Sequence, residues 1–308
     1  MKKTYSFLFT CMLLLSTVFV YAQGSYTFKV LANKGQNKVK KAGSSETTAL
    51  KTGATLNSGD ELIVAQGAYI GLMHKTGRTV EVRQPGTKRV AELAQKVTGT
   101  ASTTASRYAQ FIASKMSEEN NSYAARMNAT GATTRATGGA EIQVMLPSSV
   151  NFLGDTEIIE WAGPEGSDET TEYKVTVMNI FDEVIYEETV AGNTVAIDFS
   201  DPSMQNDSGL YIFTVQKSDD EDIKSGNIGI KRASAEDNAE IVQNYEQLKS
   251  EVSEDSPLNK LIYASFFEEN GMLLDAMTKY QEAMQMSPEV EDFQELYERF
   301  LIKNGLTK

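Results

Sequence analysis

The chain has 308 residues, with one cysteine, one histidine and one tryptophan, and its formal net charge is −13. The charge is unevenly divided: residues 23–140 carry 16 lysines and arginines against 7 acidic residues, whereas residues 141–308 carry 11 against 35. Cys11 lies in the N-terminal apolar run, so the rest of the chain excludes disulfides, thiol nucleophiles and cysteine metal sites. The two halves are therefore expected to have different surroundings or partners.

The first 22 residues have the three-part pattern of a secretory signal peptide. Lys2 and Lys3 form a basic start, Phe7 to Val20 is an apolar run, and a small residue precedes the expected cleavage before Gln23. The run is too short for a good membrane span, and no later segment is apolar and long enough to be one. A retained N-terminal anchor is the alternative. We expect a periplasmic or secreted protein that does not span the membrane after cleavage.

Residues 23–93 are short apolar runs separated by glycines, which is typical of a small all-β unit. The predicted strands are Tyr26 to Leu31, Thr55-Leu56, Glu61 to Ala65, Tyr69 to Met73 and Thr79 to Val82.

Three segments of this unit resemble the FecR-like domain. Gly59-Asp60 forms a turn before an apolar strand, Gly67 to Leu72 is the next apolar strand, and Lys75-Thr76-Gly77 stands where an Asp-Gly turn is usual. The resemblance implies an all-β fold found in bacterial envelope proteins, here of Bacteroidota type. The family's founding role is signalling to a sigma factor across the inner membrane. That role needs a membrane segment that this chain does not show, so it is not carried over to this protein. A periplasmic sensor or regulator that feeds a signalling complex is kept as an alternative.

Residues 94–140 are predicted to be a helix with flexible linkers. Aromatic and apolar residues near helical spacing predict one weakly amphipathic helix at about 104–127. The Ala/Thr/Gly/Ser-rich segments Thr98 to Thr104 and Ala129 to Gly139 have linker composition. The second is the expected domain boundary.

Residues 141–232 carry seven short strand patterns, which is typical of an immunoglobulin-like or fibronectin-III-like sandwich. Trp161 resembles the core tryptophan of fibronectin-type domains, and no cysteine pair accompanies it. The seven predicted strands are Glu141 to Leu146, Glu157 to Trp161, Tyr173 to Met178, Glu183 to Glu187, Thr194 to Phe199, Leu210 to Val215 and Asn227 to Ile230.

Residues 233–308 are predicted to be helical. Ser234 with Asp237 resembles a capping box, and Ser256-Pro257 and Ser287-Pro288 each place a cap before a proline at the first helical position. Seven residues stand at the spacings of a tetratricopeptide repeat, although Lys260 replaces the usual tryptophan. These packing positions are Ala264, Phe267, Gly271, Ala276, Tyr280, Ala283 and Pro288.

A single repeat of this type cannot normally stand alone, because both of its faces need neighbours. The last helix has the apolar spacing of a capping helix, with Phe293, Leu296, Tyr297, Phe300 and Leu301 on one face. We expect the helical pair to dock on the preceding helix, on the sandwich or on another chain. The resemblance also implies a partner groove at this helical end.

No constellation of residues predicts catalysis, a metal site or a cofactor. His74 has no second histidine to act with, and a surface or edge position is expected. The acidic run Asp219 to Asp222 could bind calcium, but it lacks a calcium-loop pattern and is interpreted as a solvated hairpin turn. Carboxylate pairs such as Glu157 with Glu160 lie in no glycosidase signature. The sequence predicts a protein that is not an enzyme and has no catalytic, cofactor or metal residues.

The basic residues of the first half could contact an anionic cell-wall polymer or an acidic protein surface. Nucleic acid is not expected for an exported protein. Two other interpretations stay open: simple solvated lysines, or a basic half that folds against the acidic half. The candidate contacts are Lys34, Lys38, Lys40, Lys41, Arg78, Arg83, Lys88 and Arg89.

Every recognisable module is therefore of a binding type. The sequence predicts an exported, non-enzymatic scaffold or adaptor of the bacterial envelope, with protein partners and with self-association as a further expectation. Besides the sensor or regulator, a carbohydrate-binding or glycan-active protein is the last alternative, because it would need an exposed aromatic platform.

Overall fold

The computed structural model describes residues 26–97, 103–117, 142–204, 208–234 and 236–306. Two β units are joined by a layer of helices that packs against both of them. The predicted order of β structure followed by C-terminal helices is confirmed at this level. Within the described ranges, no helix is long and apolar enough to cross a membrane.

The first β unit has two four-stranded sheets, with strand orders β4-β1-β6-β7 and β3-β2-β5-β8. All five predicted strands are present, and the structure adds β2, β3, β8 and the short helix α1 (Val90–Gln95). The strands are β1 (Phe28–Lys34), β2 (Lys38–Lys40), β3 (Thr47–Ala49), β4 (Thr55–Leu56), β5 (Glu61–Val64), β6 (Tyr69–His74), β7 (Thr79–Val82) and β8 (Gly86–Arg89).

The Asp60 side chain holds together the Gly59-Asp60 turn of this unit. The Asp60 carboxylate is buried and accepts hydrogen bonds from the backbone N–H groups of Asn57 at 2.9 Å and Ala42 at 3.0 Å. The Lys41 ammonium lies 2.9 Å from the same carboxylate. Burial opposes ionisation, but these donors outweigh it and lower the pKa of Asp60. The turn is therefore held by a charged group whose hydrogen bonds are satisfied.

The second β unit is built from nine strands in two sheets. One has the order β10-β17-β15-β12-β13, with β16 paired to β15, and the other has the order β14-β11-β9. All seven predicted strands are present, while β10 and β16 are additional. The strands are β9 (Gln143–Val144), β10 (Ser149–Phe152), β11 (Thr156–Ala162), β12 (Glu172–Met178), β13 (Val184–Ala191), β14 (Thr194–Asp198), β15 (Leu210–Lys217), β16 (Asp220–Lys224) and β17 (Ile228–Arg232).

The acidic run of this unit is only partly a turn. The turn of the β15–β16 hairpin contains Asp219, whereas residues 220–222 already belong to β16. Trp161 is fully buried inside β11 and packs edge-on against Tyr173 of β12, with ring centroids 5.5 Å apart.

The helical layer contains α2 (Thr103–Ser117), α3 (Ala239–Glu251), α4 (Pro257–Glu269), α5 (Leu273–Met286) and α6 (Glu291–Lys303). Apart from residues 103–104, which open α2, the two predicted linkers lie outside the described residues, and so does the predicted end of the first helix beyond residue 117.

Two of the three predicted helix starts differ from the structure. Ser256 caps α4 as predicted, accepting a hydrogen bond from the Asn259 N–H at 3.3 Å. The Ser234–Asp237 pair does bond, at 2.9 Å, but in a turn before α3. The prediction for Ser287-Pro288 is wrong, because α6 begins at Glu291. The Ser287 hydroxyl accepts a hydrogen bond from Arg83 at 2.6 Å instead of capping the helix.

The layer is packed on both of its sides. Helix α5 lies on β10 and β11 of the second β unit, while α2 and α6 pack on β1 and α4 packs on β7. One hydrophobic cluster runs from Tyr69 and Met73 through the helices to Trp161. Of the predicted packing positions, Ala264, Phe267, Ala276, Tyr280 and Ala283 are fully buried. Gly271 forms the α4–α5 turn with a φ of 73°, and Pro288 is exposed.

Glu268 of α4 connects four helices. Its carboxylate lies 2.6 Å from the Lys115 ammonium of α2 and 2.8 Å from the Lys303 ammonium of α6. The Tyr280 hydroxyl of α5 donates to it at 2.9 Å, and the Glu268 side chain is only 1% exposed. Burial opposes the charge of Glu268, but the two ammonium groups outweigh it and lower the pKa of the carboxyl.

Replacing Glu268 should therefore destabilise the whole protein. Breaking a buried ion pair leaves an uncompensated buried charge, so we expect Glu268→Gln to lower the free energy of unfolding by about 3–5 kcal/mol. Denaturant titration measures this change. The neighbouring Glu269 pairs with Arg107, which is largely exposed, so Glu269→Gln should cost less than about 1 kcal/mol. Equal effects of the two variants would contradict the role of Glu268.

Candidate functional site

The tip of the β12–β13 hairpin exposes a cluster of apolar side chains. Ile180, Phe181 and Val184 are 44%, 76% and 55% exposed, and among the described residues only Met286 is a further exposed large apolar side chain. Burying such groups is favourable by about 25 cal/mol per Å². A cluster at one projecting tip therefore marks a candidate interaction site.

The tip has a defined shape. The Asn179 side-chain oxygen accepts hydrogen bonds from the N–H groups of Phe181 at 2.9 Å and Glu183 at 3.1 Å. The Asp182 N–H donates to the Asn179 carbonyl at 3.2 Å, and Asp182 adopts a left-handed φ of 62°. Aspartate tolerates this conformation better than most residues. The bonds hold Phe181 outward without help from a partner.

Two acidic residues, Asp182 and Glu183, lie in the apolar tip, and two more lie further along β13. Asp182, Glu183, Glu187 and Glu188 are all exposed, and β13 is the last strand of its sheet. Glu187 pairs with Lys174 at 2.8 Å, and the Tyr186 hydroxyl donates to Glu188. Glu188 stands opposite the buried Val175, on the core side of the edge. An inward charge on an edge strand opposes the addition of a further strand. The tip is therefore a more suitable surface for binding a partner than the free edge of β13.

Five of the eight predicted basic residues have partners within the chain. Arg83 donates to Glu289 at 2.9 Å and stacks over Tyr69, and Arg78 donates to the Glu251 carbonyl. Both arginines therefore join the first β unit to the helices. Lys41 is bound to Asp60.

The remaining basic positions are mixed with acids. Lys40, Glu61 and Arg89 stand in one row across β2, β5 and β8, so an acid separates the two cations. Lys40 lies 3.7 Å from Glu61, and Arg89 lies 3.5 Å from Glu92. Lys34 ends β1, while Lys38 is exposed on β2, and Lys88 pairs with the buried Leu62.

A buried carboxyl pair lies where α5 meets the second β unit. Asp275 accepts hydrogen bonds from the N–H groups of Leu153 at 3.0 Å and Gly154 at 2.6 Å, and Glu157 accepts one from the Thr278 hydroxyl at 2.7 Å. The two carboxyls also hydrogen-bond to each other. Burial raises the pKa of both, to about 6 for Asp275, and the Asp275 charge raises the pKa of Glu157 further. This pair is enclosed by protein and joins two structural layers.

Glu160 does not form the carboxylate pair with Glu157 that a glycosidase would need. It lies at a separate groove between β11 and the α5–α6 turn, with a volume of about 360 Å³. Its carboxylate accepts hydrogen bonds from Gln281 at 2.8 Å and from the Tyr297 hydroxyl. Burial raises the pKa of Glu160. Met286 is exposed at the end of α5, close in sequence to residues that line this groove.

His74 ends β6, where its ring packs edge-on against Phe28, and its Nδ1 lies 2.8 Å from the Thr76 hydroxyl. Burial and the neighbouring Lys75 charge lower its pKa. In the part of the chain that the structure describes, no group of three or more histidine, cysteine or acidic side chains is arranged to hold a metal ion.

Sequence reasoning missed the apolar tip, although a signal was present. Met178 ends one predicted strand and Glu183 begins the next, so Asn179-Ile180-Phe181-Asp182 is a predicted turn that contains two large apolar residues. Turns are usually polar, and this exception indicates a contact.

No protein-family model matches this chain, and no curated protein matches it.

The carboxyl pair predicts a distinctive pH dependence. The folded protein binds the Asp275 proton more tightly than the unfolded chain does, so protonation of Asp275 stabilises the fold. This stabilisation is present below about pH 4 and is lost as the pH rises to about 6. We expect the unfolding free-energy difference between the wild-type protein and Asp275→Asn to decrease across this range and then to level off. Denaturant titrations at several pH values measure it, and Glu157→Gln should behave similarly. A difference that is constant from pH 4 to pH 7 would show that the pKa of Asp275 is not raised in the folded protein.

Proposed function

We propose that this protein is an exported, non-enzymatic scaffold or adaptor of the bacterial envelope. In this proposal a FecR-like unit, an immunoglobulin/fibronectin-like sandwich and a tetratricopeptide-like helical pair form one body. The strand orders β14-β11-β9 and β17-β15-β12 support the sandwich assignment, since such folds divide their strands between two sheets in this manner. The buried small residues Ala264, Ala276 and Ala283 support the helical-pair assignment.

The exposed apolar tip carries the proposal. The structure describes four large apolar side chains as exposed, and three of them lie at the β12–β13 turn. We place the partner surface there instead of at the helical end, because α4 and α5 use their faces within the chain. The proposed partner is a protein with an apolar pocket for Phe181 and basic residues around it, which would complement the four acidic residues near the tip.

A site-specific cross-link tests this surface. The photoreactive analogue p-benzoylphenylalanine replaces Phe181 in one full-length protein and Met286 in another, and both are irradiated in cells before purification from the envelope. We expect a discrete cross-linked protein from position 181 and none of the same mass from position 286. Met286 is the matched control, because it is also an exposed large apolar residue, at 42%.

Two substitutions then measure how much the tip contributes. We expect Phe181→Ser to abolish co-purification of the cross-linked protein, whereas Met286→Ser should retain it, and both variants should remain folded because neither side chain is in the core. Full-length chains are needed, since cutting the chain near residue 140 would divide the cluster that contains α2 and α4. Retention of the same protein by Phe181→Ser, or no cross-link at position 181, would contradict the proposal.

A further inference from the structure

β12 runs from Glu172, at one end of the sandwich, to Met178, next to the apolar tip at the other end. A cavity opens at the Glu172 end. It lies between the β11–β12 loop and the β15–β16 hairpin, with a volume of about 560 Å³. A second cavity of about 380 Å³ lies beside it, and both are lined by residues 164–167 of the loop. Volumes of this size are typical of small-ligand sites, which span about 300–1,000 Å³.

Tyr173 places an unpartnered hydroxyl at this site. The residue is 1% exposed and lines the smaller cavity, yet its hydroxyl has no hydrogen-bond partner within the described part of the chain. Such an orphaned polar group costs about 1–3 kcal/mol. Gly163 lets the loop pack directly against this hydroxyl, because a Cβ at this position would overlap the Tyr173 oxygen. A ligand that donates a hydrogen bond here would remove the cost.

The cavities are strongly acidic. Their lining includes one cation, Lys217, which is bound to Asp219 at 2.9 Å. The Asp168 carboxylate is used in the loop, where it accepts hydrogen bonds from the N–H of Thr170 at 2.9 Å and from its hydroxyl at 2.7 Å. Three further carboxylates make no ion pair or hydrogen bond in the described structure, and these are Glu165, Glu169 and Glu172.

We propose that this cavity binds the guanidinium group of an arginine side chain on a partner peptide or protein. A guanidinium carries five N–H donors in a planar fork and cannot lose its charge in a protein. It can therefore donate to the Tyr173 hydroxyl and to a carboxylate at the same time, and charge-assisted hydrogen bonds of this kind are the stronger ones. A sugar is a poorer match, because Trp161, which could stack on it, is fully buried.

This site is separate from the apolar tip and goes beyond the proposed function. The two sites lie at opposite ends of β12, so a partner could occupy either one alone. Their tests are independent for the same reason.

Trp161 provides the measurement. It is the one tryptophan of the chain, and its ring centroid lies 5.5 Å from that of Tyr173. The mature protein is titrated with N-acetyl-arginine amide and, separately, with N-acetyl-citrulline amide, which has a similar shape without the charge. We expect a saturable fluorescence change with the arginine compound only, and a midpoint that rises with added NaCl because the carboxylates are exposed. Calorimetric titration repeats both experiments to detect binding that leaves the fluorescence unchanged.

Variants separate a built site from general attraction to acidic residues. We expect Tyr173→Phe to weaken binding of the arginine compound about tenfold, as the loss of one charge-assisted hydrogen bond would. The double variant Glu165→Gln with Glu172→Gln should weaken it at least as much. Glu46→Gln, at an exposed acid of the first β unit, makes the same chemical change and should bind like wild type. Phe181→Ser should also bind like wild type.

Three results would overturn the proposal. Equal binding of the citrulline compound would exclude a charge-dependent site. Unchanged binding by Tyr173→Phe would show only a loose attraction of cations to the acidic surface. A folded wild-type protein that shows neither a fluorescence change nor heat of binding would show that the cavity does not recognise guanidinium.

Discussion

The structure depends on the burial of the helical layer from two sides. Almost every residue of α4 is buried, including consecutive positions around its whole circumference from Leu261 to Glu268. A helix that is apolar on all sides needs protein on all sides, and α2, α5 and β7 supply it. The close approach is also visible at Gly71, where a Cβ would come within 3.0 Å of the Leu258 side chain. Neither β unit can therefore be understood without the helices between them.

This packing accounts for part of the uneven charge distribution. The basic half supplies Arg107 and Lys115, and the acidic half supplies their partners Glu269 and Glu268. Arg83 makes a third such contact, with Glu289. Opposite charges on the two halves thus meet inside one molecule, as one interpretation of the sequence allowed. Other exposed acids make no ion pair within the described part of the chain, among them Asp182 and Glu183 at the apolar tip and Glu165, Glu169 and Glu172 at the cavity proposed to bind guanidinium.

Strands with strong apolar alternation could be predicted from the sequence, and those with weak patterns could not. β5 and β12 place their apolar residues inward and are readily recognised, whereas β2 consists of Lys38-Val39-Lys40 and has one apolar residue. Its strand conformation is stabilised by pairing with β3 and β5, which local sequence does not show. In the same way, Ser287-Pro288 has a helix-start pattern, but the Ser287 hydroxyl bonds to a residue 204 positions away.

The candidate sites were harder to predict because each depends on tertiary context. The sequence shows that Phe181 lies in a turn, but not that Ile180, Phe181 and Val184 all stay exposed in the folded protein. It shows Tyr173 in a strand, but not that its hydroxyl lacks a partner. The tetratricopeptide-like spacing predicted the packing of α4 on α5. Which surfaces would cover that pair could not be deduced, since the weakly amphipathic α2 was expected within a linker segment.

Hydrogen–deuterium exchange in increasing denaturant, read by mass spectrometry, tests most directly whether the helical layer unites the two β units. Peptides covering β1, α4 and β11 report on the first β unit, the helical layer and the second β unit in one experiment. If the layer unites the two units, all three lose protection at the same denaturant concentration, as a single cooperative unit does. Loss of protection in β1 while α4 and β11 stay protected would show that the first unit is held independently, and would contradict the account.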